Sequence, residues 1–310
     1  MTIDMLAGLA AGAAATTAAK EPGPIHAALP VVDAVRRDLL TYDAQRARTE
    51  AGVRLCQELL SVYGPNAAPF ATDVDGDHGE DTTRKLRAFQ LAQRLPQTGQ
   101  FDEPTFRALV APILASFALP VGKDARSAVV AAANLHAAYS AREIKPNAGP
   151  WVRTYMAGNE GAAWAWCAGF ASFVWLQAAA AQADATAVAK ARRYRTFGCD
   201  EIATRAKADG RFVEGADVVA GRAAVLPGDL FLVQARERDW VHVGVVTAVR
   251  DGGRRIGTVE GNTNSGGSRE GLYVLARERS VAGGRASGLD FVRCPFAAAR
   301  APSQPAAACS

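Results

Sequence analysis

Four residues in this chain of 310 have the types needed to open an amide through a covalent intermediate: Cys167, His242, Glu260 and Asn262. Cys167 lies in "AAWAWCAGFASFVW", where the loop-like "NEGAAW" gives way to "CAGFASFVWL". That run is so uniformly apolar and small that it reads as a helix buried on all sides. Cys167 then falls in the first turn, where unpaired N–H groups and the helix dipole favour an anion and lower the thiol pKa. The same N–H groups would stabilise an oxyanion. A cysteine on an apolar helix is by itself more often core filler, so the reading depends on its partners.

The chain has only four histidines. His26 lies in the Pro-broken "EPGPIHAALP", His78 in an acidic loop, and His136 on an Ala-rich helix where partial exposure is expected. His242, in "DWVHVGVV", has a strand to fix its orientation. An imidazole beside Cys167 would lower the thiol pKa further and later protonate a leaving amine. In "VEGN", at the end of the next strand, Glu260 or Asn262 would accept the imidazole N–H and select its tautomer. The hairpin turn is expected at "DGGR", residues 251–254. A two-residue loop makes paired numbers sum to 505 and turns Glu260 and Asn262 away from His242; a three-residue loop makes the sum 506 and puts all three on one face. The chemistry therefore requires an odd loop or a bulge.

"WCAGF" around Cys167, "PGDL" at 227–230, "HVGVV" at His242 and "VEGN" at 259–262 together resemble the CHAP family, the cysteine, histidine-dependent amidohydrolases and peptidases of papain-like fold. The resemblance covers roughly residues 124–296. It implies Cys167 as nucleophile, His242 as base and Glu260 or Asn262 as the group that orients it, with no metal or cofactor. Trp166, and Asn147 and Trp151 in "KPNAGPWV", are expected to line the substrate groove, although that segment also fits a plain Pro/Gly loop.

The elements that must position these residues follow from periodicity. "VVDAVRRDLLTYDAQRAR" is expected to form a linker helix. "VRLCQELLSVYG", "TTRKLRAFQLAQRL" and "DEPTFRALVAPILASF" carry apolar residues at spacings of three and four and predict three short helices. Asp81 or Thr82 is expected to cap the second, and Asp102 or Glu103, before Pro104, to start the third. From Pro227 the pattern changes to short β-branched runs separated by turn residues, as in an antiparallel sheet. The fold class is therefore α+β, a small helical bundle followed by helices packed on a sheet. The expected divisions are a leader and linker at 1–48, the bundle at 49–117, the hydrolase-like domain at 118–300 and a disordered tail at 301–310.

Asp73, Asp75 and Asp77 in "DVDGDHGED" suggest an EF-hand, but His78 stands where the turn glycine belongs and Arg84 where the bidentate glutamate belongs. The stretch instead resembles the peptidoglycan-binding three-helix domain over residues 50–116. Asp75, Gly76, Gly79, Thr82, Phe89, Gln90, Gly99, Thr105 and Phe106 carry the resemblance, and His78 replaces a commoner aromatic. It implies bacterial peptidoglycan as partner, although most of these residues are expected simply to hold the fold.

Together the two resemblances imply a wall hydrolase that cuts an amide, as an N-acetylmuramoyl-L-alanine amidase or a peptide endopeptidase. The alternatives are a non-catalytic wall-binding protein and a cysteine hydrolase with a non-wall substrate. A net charge of +4 suits a polyanionic wall and is too small to argue for nucleic acid. Five cysteines lie far apart without a CxxC pair, which excludes a zinc ribbon, and a Cys199–Cys294 disulfide stays open. The Ala/Gly/Thr-rich start, with Asp4 in place of a basic n-region, makes a poor signal peptide, and no run is long enough to span a membrane. The expected place of action is the wall, in the periplasm or outside the cell, by an open export route.

Overall fold

A computed structural model describes residues 33–65, 67–119, 124–264, 271–281 and 288–297. The signal-like start, most of the leader, the tail and Cys309 lie outside the described residues. Contacts divide the chain into two compact units. One gathers residues up to Ala118 with Leu135–Trp166 and Asn262–Leu275; the other gathers Leu119–Asn134, Cys167–Gly261 and the chain from Ala276 on. The described residues form ten α-helices and a six-stranded antiparallel sheet, an α+β architecture with the helical bundle first.

In the first unit, α1 (Asp33–Leu39) stops well short of the expected linker helix, and only a 3₁₀ turn at Arg46–Arg48 follows. Asp43 accounts for the break. Its Oδ1 accepts the backbone N–H groups of Gln45 at 2.8 Å and Arg46 at 3.0 Å, a local turn that competes with the helix. The bundle follows as α2 (Glu50–Ser61), α3 (Glu80–Ala92) and α4 (Glu103–Ser116). Thr49 caps α2 and Asp102 caps α4, with Pro104 in the first turn. Neither Asp81 nor Thr82 caps α3, which starts after Gly79 without a side-chain cap. Leu59, Leu60, Leu86 and Phe89 are closed to solvent, and the rings of Tyr63 and Phe70 meet Phe89 edge to face.

Two buried glutamines hold the bundle's loops by the same set of bonds. The two N–H groups of Gln57 Nε2 are shared among Asp75 Oδ1, the Asp77 carbonyl and Thr82 Oγ1 at 2.7, 3.0 and 3.0 Å, while its Oε1 accepts from Gly76 N. The two N–H groups of Gln90 Nε2 are shared among Thr98 Oγ1, the Gln100 carbonyl and Thr105 Oγ1 at 2.9, 3.1 and 2.8 Å, while its Oε1 accepts from Gly99 N. Gly76 and Gly99 have φ of +84° and +68°, and a Cβ on Gly76 would lie 2.6 Å from Glu50 Cγ. The repeat is an internal one: helix, clamped loop, helix, with α3 belonging to both copies.

α5 (Ala125–Ala138) leads to α6 (Pro150–Tyr155), and then to α7 (Cys167–Ala180), α8 (Ala185–Arg193) and α9 (Cys199–Ala208). The strands are β1 (Phe212–Val213), β2 (Leu230–Arg236), β3 (Asp239–Arg250), β4 (Arg255–Thr263), β5 (Tyr273–Ser280) and β6 (Leu289–Val292), with α10 (Gly215–Val219) after β1. Their order in the sheet is β1-β6-β2-β3-β4-β5. α7 is buried along nearly its whole length and packs against β3 and α8. The "PGDL" turn is pinned by Asp229, 1% exposed, which accepts from Arg126 Nη1, Cys294 N and Leu226 N. Phe231, Val246, Ile256 and Phe291 form the sheet's apolar core.

The β3–β4 hairpin contains the irregularity that the sequence demands. Near the turn Arg250 pairs with Arg255 and Ala248 with Gly257, so paired numbers sum to 505. Beyond Thr247 the register shifts: Val246 pairs with Thr258 and Val245 with Val259, a sum of 504. The bulge at Thr247 turns the far half of β3 over, and His242 and Glu260 come to one face.

Candidate active site

Cys167 is the first residue of α7 and is 4% exposed; His242 on β3 is 2% exposed and Glu260 on β4 is fully buried. His242 Nε2 and Glu260 Oε2 are 2.9 Å apart. With a carboxylate there, Nε2 carries the proton and Nδ1 is the free nitrogen. Among the described residues the buried Nδ1 has no hydrogen-bond partner, and the imidazole interacts electrostatically with the Cys167 thiol. The room for this pair comes from Gly244, since a Cβ there would lie 2.7 Å from Phe231 Cε1 and 2.9 Å from Glu260 Cγ.

The charges reinforce one another. Hydrogen bonding from the Cys199 thiol, helped against burial by His242 and the Val243 N–H, holds the Cys167 thiol well below its usual range. Burial works against a charged His242, but its interactions with the Cys167 thiol and with Glu260 outweigh this and raise it to about 9. Burial likewise opposes a charged Glu260, yet Arg279 and His242 lower it to about 2. These directions favour a thiolate on Cys167 and an imidazolium on His242, with an ionised carboxylate behind them.

Three members of the site were not singled out by sequence. Arg279 on β5 grips Glu260 with both arms of its guanidinium, Nε to Oε1 and Nη2 to Oε2, each at 2.6 Å. Thr258 Oγ1 donates to Oε1 at 2.7 Å, so both carboxylate oxygens are engaged. Cys199, at the start of α9, has its sulfur 3.8 Å from that of Cys167. Cys199 and Cys294 are both free thiols, so the disulfide between them is not formed.

Other expectations are corrected. Trp151 and Trp166 are fully buried in the first unit, in a ring stack with Tyr155, which leaves neither indole a face for substrate. Trp166 Nε1 donates to Glu143 at 2.8 Å. His136 is fully buried rather than partly exposed, with Nδ1 2.9 Å from the Tyr155 hydroxyl. Asn147 is half-buried at φ +52°, and its backbone N–H donates to Glu143. Asn262, at φ +55°, turns its Oδ1 to the N–H of Gly271 at 3.4 Å; the side chain bonded to His242 is Glu260.

In the bundle, Asp75, Gly76 and Thr82 belong to the Gln57 clamp, and a Cβ on Gly79 would lie 3.2 Å from Asp77 Oδ2. The N–H of Asp77 and the Gln57 amide hold the Asp75 carboxyl below its usual range. His78 Nε2 lies 2.9 Å from the Gly99 carbonyl and ties the two clamped loops together.

Residues 49–109 match the family model described as "Putative peptidoglycan binding domain". The matched segment takes in α2, α3, the start of α4 and both glutamine clamps. The match supports association with the cell wall and peptidoglycan as a partner. No curated protein and no solved structure matches the chain significantly. Among the described residues, no helix is long and apolar enough to cross a membrane.

Proposed function

We propose that the chain is a peptidoglycan hydrolase that cleaves an amide through Cys167, as an N-acetylmuramoyl-L-alanine amidase or a peptide endopeptidase. The observation that carries this reading is the continuous buried line Cys167–His242–Glu260, in a chain that also has a peptidoglycan-binding segment. The thiolate of Cys167 attacks the amide carbonyl carbon, and N–H groups at the start of α7 receive the developing oxyanion. The imidazolium of His242 gives its Nδ1 proton to the leaving amine, and a thioester remains on Cys167. The neutral imidazole then takes a proton from water, whose hydroxide attacks the thioester; the acid leaves and the thiolate is restored. Glu260 holds the ring in one tautomer throughout. The segment that matches the peptidoglycan-binding model would raise the enzyme's concentration at its substrate, and a wall substrate is what this reading entails.

The test is turbidity loss and fragment release from purified sacculi by the wild type and by Cys167→Ala. Loss of cleavage with retained sacculus binding supports the reading, and equal cleavage refutes it. Mass spectrometry of the fragments separates a new N-terminal alanine from a new internal peptide end. A wall-binding chain without activity would retain sacculi and release nothing, and a hydrolase for another amide would not be retained.

A further inference from the structure

The hydrolytic cycle forms its thioester on Cys167, and Cys199 enters it only as a hydrogen-bond donor to that sulfur. Yet the Cys199 sulfur lies 3.8 Å from the nucleophile, and both thiols are free and nearly closed to solvent. Cys199 is the first residue of α9 and follows Gly198. A disulfide requires sulfurs about 2.05 Å apart. The remaining closure is under about 2 Å, within reach of a side-chain rotation at a helix start. Two adjacent thiols, one held as a thiolate nucleophile, are the arrangement that thiol–disulfide exchange requires.

We propose that Cys167 and Cys199 form a reversible disulfide when a small-molecule disulfide is present, and that this bond switches the hydrolase off. The switch rests on the reading of Cys167 as the nucleophile. The Cys167 thiolate attacks one sulfur of oxidised glutathione, forming a mixed disulfide and expelling a glutathione thiolate. Cys199 then loses its proton to solvent, and its thiolate attacks the Cys167 sulfur. The Cys167–Cys199 bond forms as a second glutathione thiolate leaves. Both glutathione thiolates equilibrate with solvent protons. The two cysteines lose two electrons, and one glutathione disulfide is reduced to two thiols. With its sulfur bonded, Cys167 cannot form a thioester. A dithiol reverses the exchange.

The test treats the full chain with oxidised glutathione at about pH 8, blocks free thiols and maps peptides without reduction. The expected product joins the Cys167 and Cys199 peptides and keeps no glutathione. Sacculus cleavage is then lost and returns with dithiothreitol. In Cys199→Ser the glutathione stays on Cys167, and Cys199→Ala provides a second comparison should the serine chain unfold. A wild-type chain that keeps glutathione on Cys167 with Cys199 blocked as a free thiol overturns the proposal. So does a linked chain that still cleaves wall. A linked pair in a chain whose reduced form never cleaves wall refutes the hydrolase reading, and the switch with it, but not the bond.

Discussion

Glu260 Oε2 receives His242 Nε2 and one arm of Arg279 at the same oxygen, at 2.9 and 2.6 Å. The carboxylate therefore faces two cations when the imidazole is protonated, and its fixed plane fixes the ring. Glu260→Gln keeps the shape but removes the charge and one acceptor. We expect a loss of about 10²- to 10⁴-fold in kcat/KM on sacculi, the range of general acid–base catalysis. Arg279, 22% exposed, loses its ion pair, and we expect a stability cost of about 2 kcal/mol, below that of a fully buried pair. Paired measurement of rate and thermal unfolding separates the two effects. Unchanged kinetics would remove Glu260 from the mechanism.

The pH profile should reflect the thiolate–imidazolium pair. As pH rises through about 9 the imidazolium of His242 loses its proton, and kcat/KM should fall because no acid meets the leaving amine. On the acid side the fall should come well below the ordinary thiol range, where Cys167 reprotonates. Glu260 has its folded pKa lowered to about 2 from 4.5. Its contribution to stability is thus fully present above about pH 4.5 and lost as pH falls towards 2. Thermal unfolding across acid pH would show it, and Glu260→Gln should flatten that slope.

Thiol reactivity should rank Cys167 first. Burial pushes Cys56 far up and Cys294 up to about 11. Iodoacetamide at neutral pH should label Cys167 at least about tenfold faster than either, since the thiolate is the reactive form. Equal labelling rates would contradict an activated nucleophile.

Gly244→Ala should disable the site without touching a reacting group. Its Cβ would press on Phe231 and Glu260. Overpacking of this kind costs about 1–3 kcal/mol, and displacement of Glu260 should lower kcat more than it raises KM. A variant with wild-type kcat would show that the strands yield elsewhere.

Gln57→Ala and Gln90→Ala should each leave one loop of the bundle without its anchor. Four hydrogen bonds are lost at each site. We expect about 2–4 kcal/mol of destabilisation from unsatisfied buried groups and weaker retention on sacculi. Calorimetry of the full chain together with a sacculus pulldown checks both.

Much of the sheet could be read from the sequence because β-branched runs and turn residues alternate clearly after Pro227. The pairing of His242 with Glu260 was conditional on a bulge, and Thr247 supplies it; no residue in that stretch advertises which position is skipped. Arg279 stayed hidden because it lies on another strand, 19 residues past Glu260, where an arginine ordinarily faces water. Cys199 stayed hidden for a similar reason: its contact with Cys167 spans 32 residues and exists only once α7 and α9 have each packed on β3. Trp151 and Trp166 misled because aromatic residues near Pro and Gly suit a groove and a ring stack equally well, and only tertiary contacts decide. The short β1 gave no periodic signal at all.

The duplicated clamp has a consequence for how the bundle comes apart. α3 receives Gln57 at Thr82 and offers Gln90 to the next loop. It is a guest in one copy and the host in the other, so neither copy can detach and leave the other whole. The matched segment should therefore order and melt in a single all-or-none step, without a half-folded form that exposes one loop while the other stays closed.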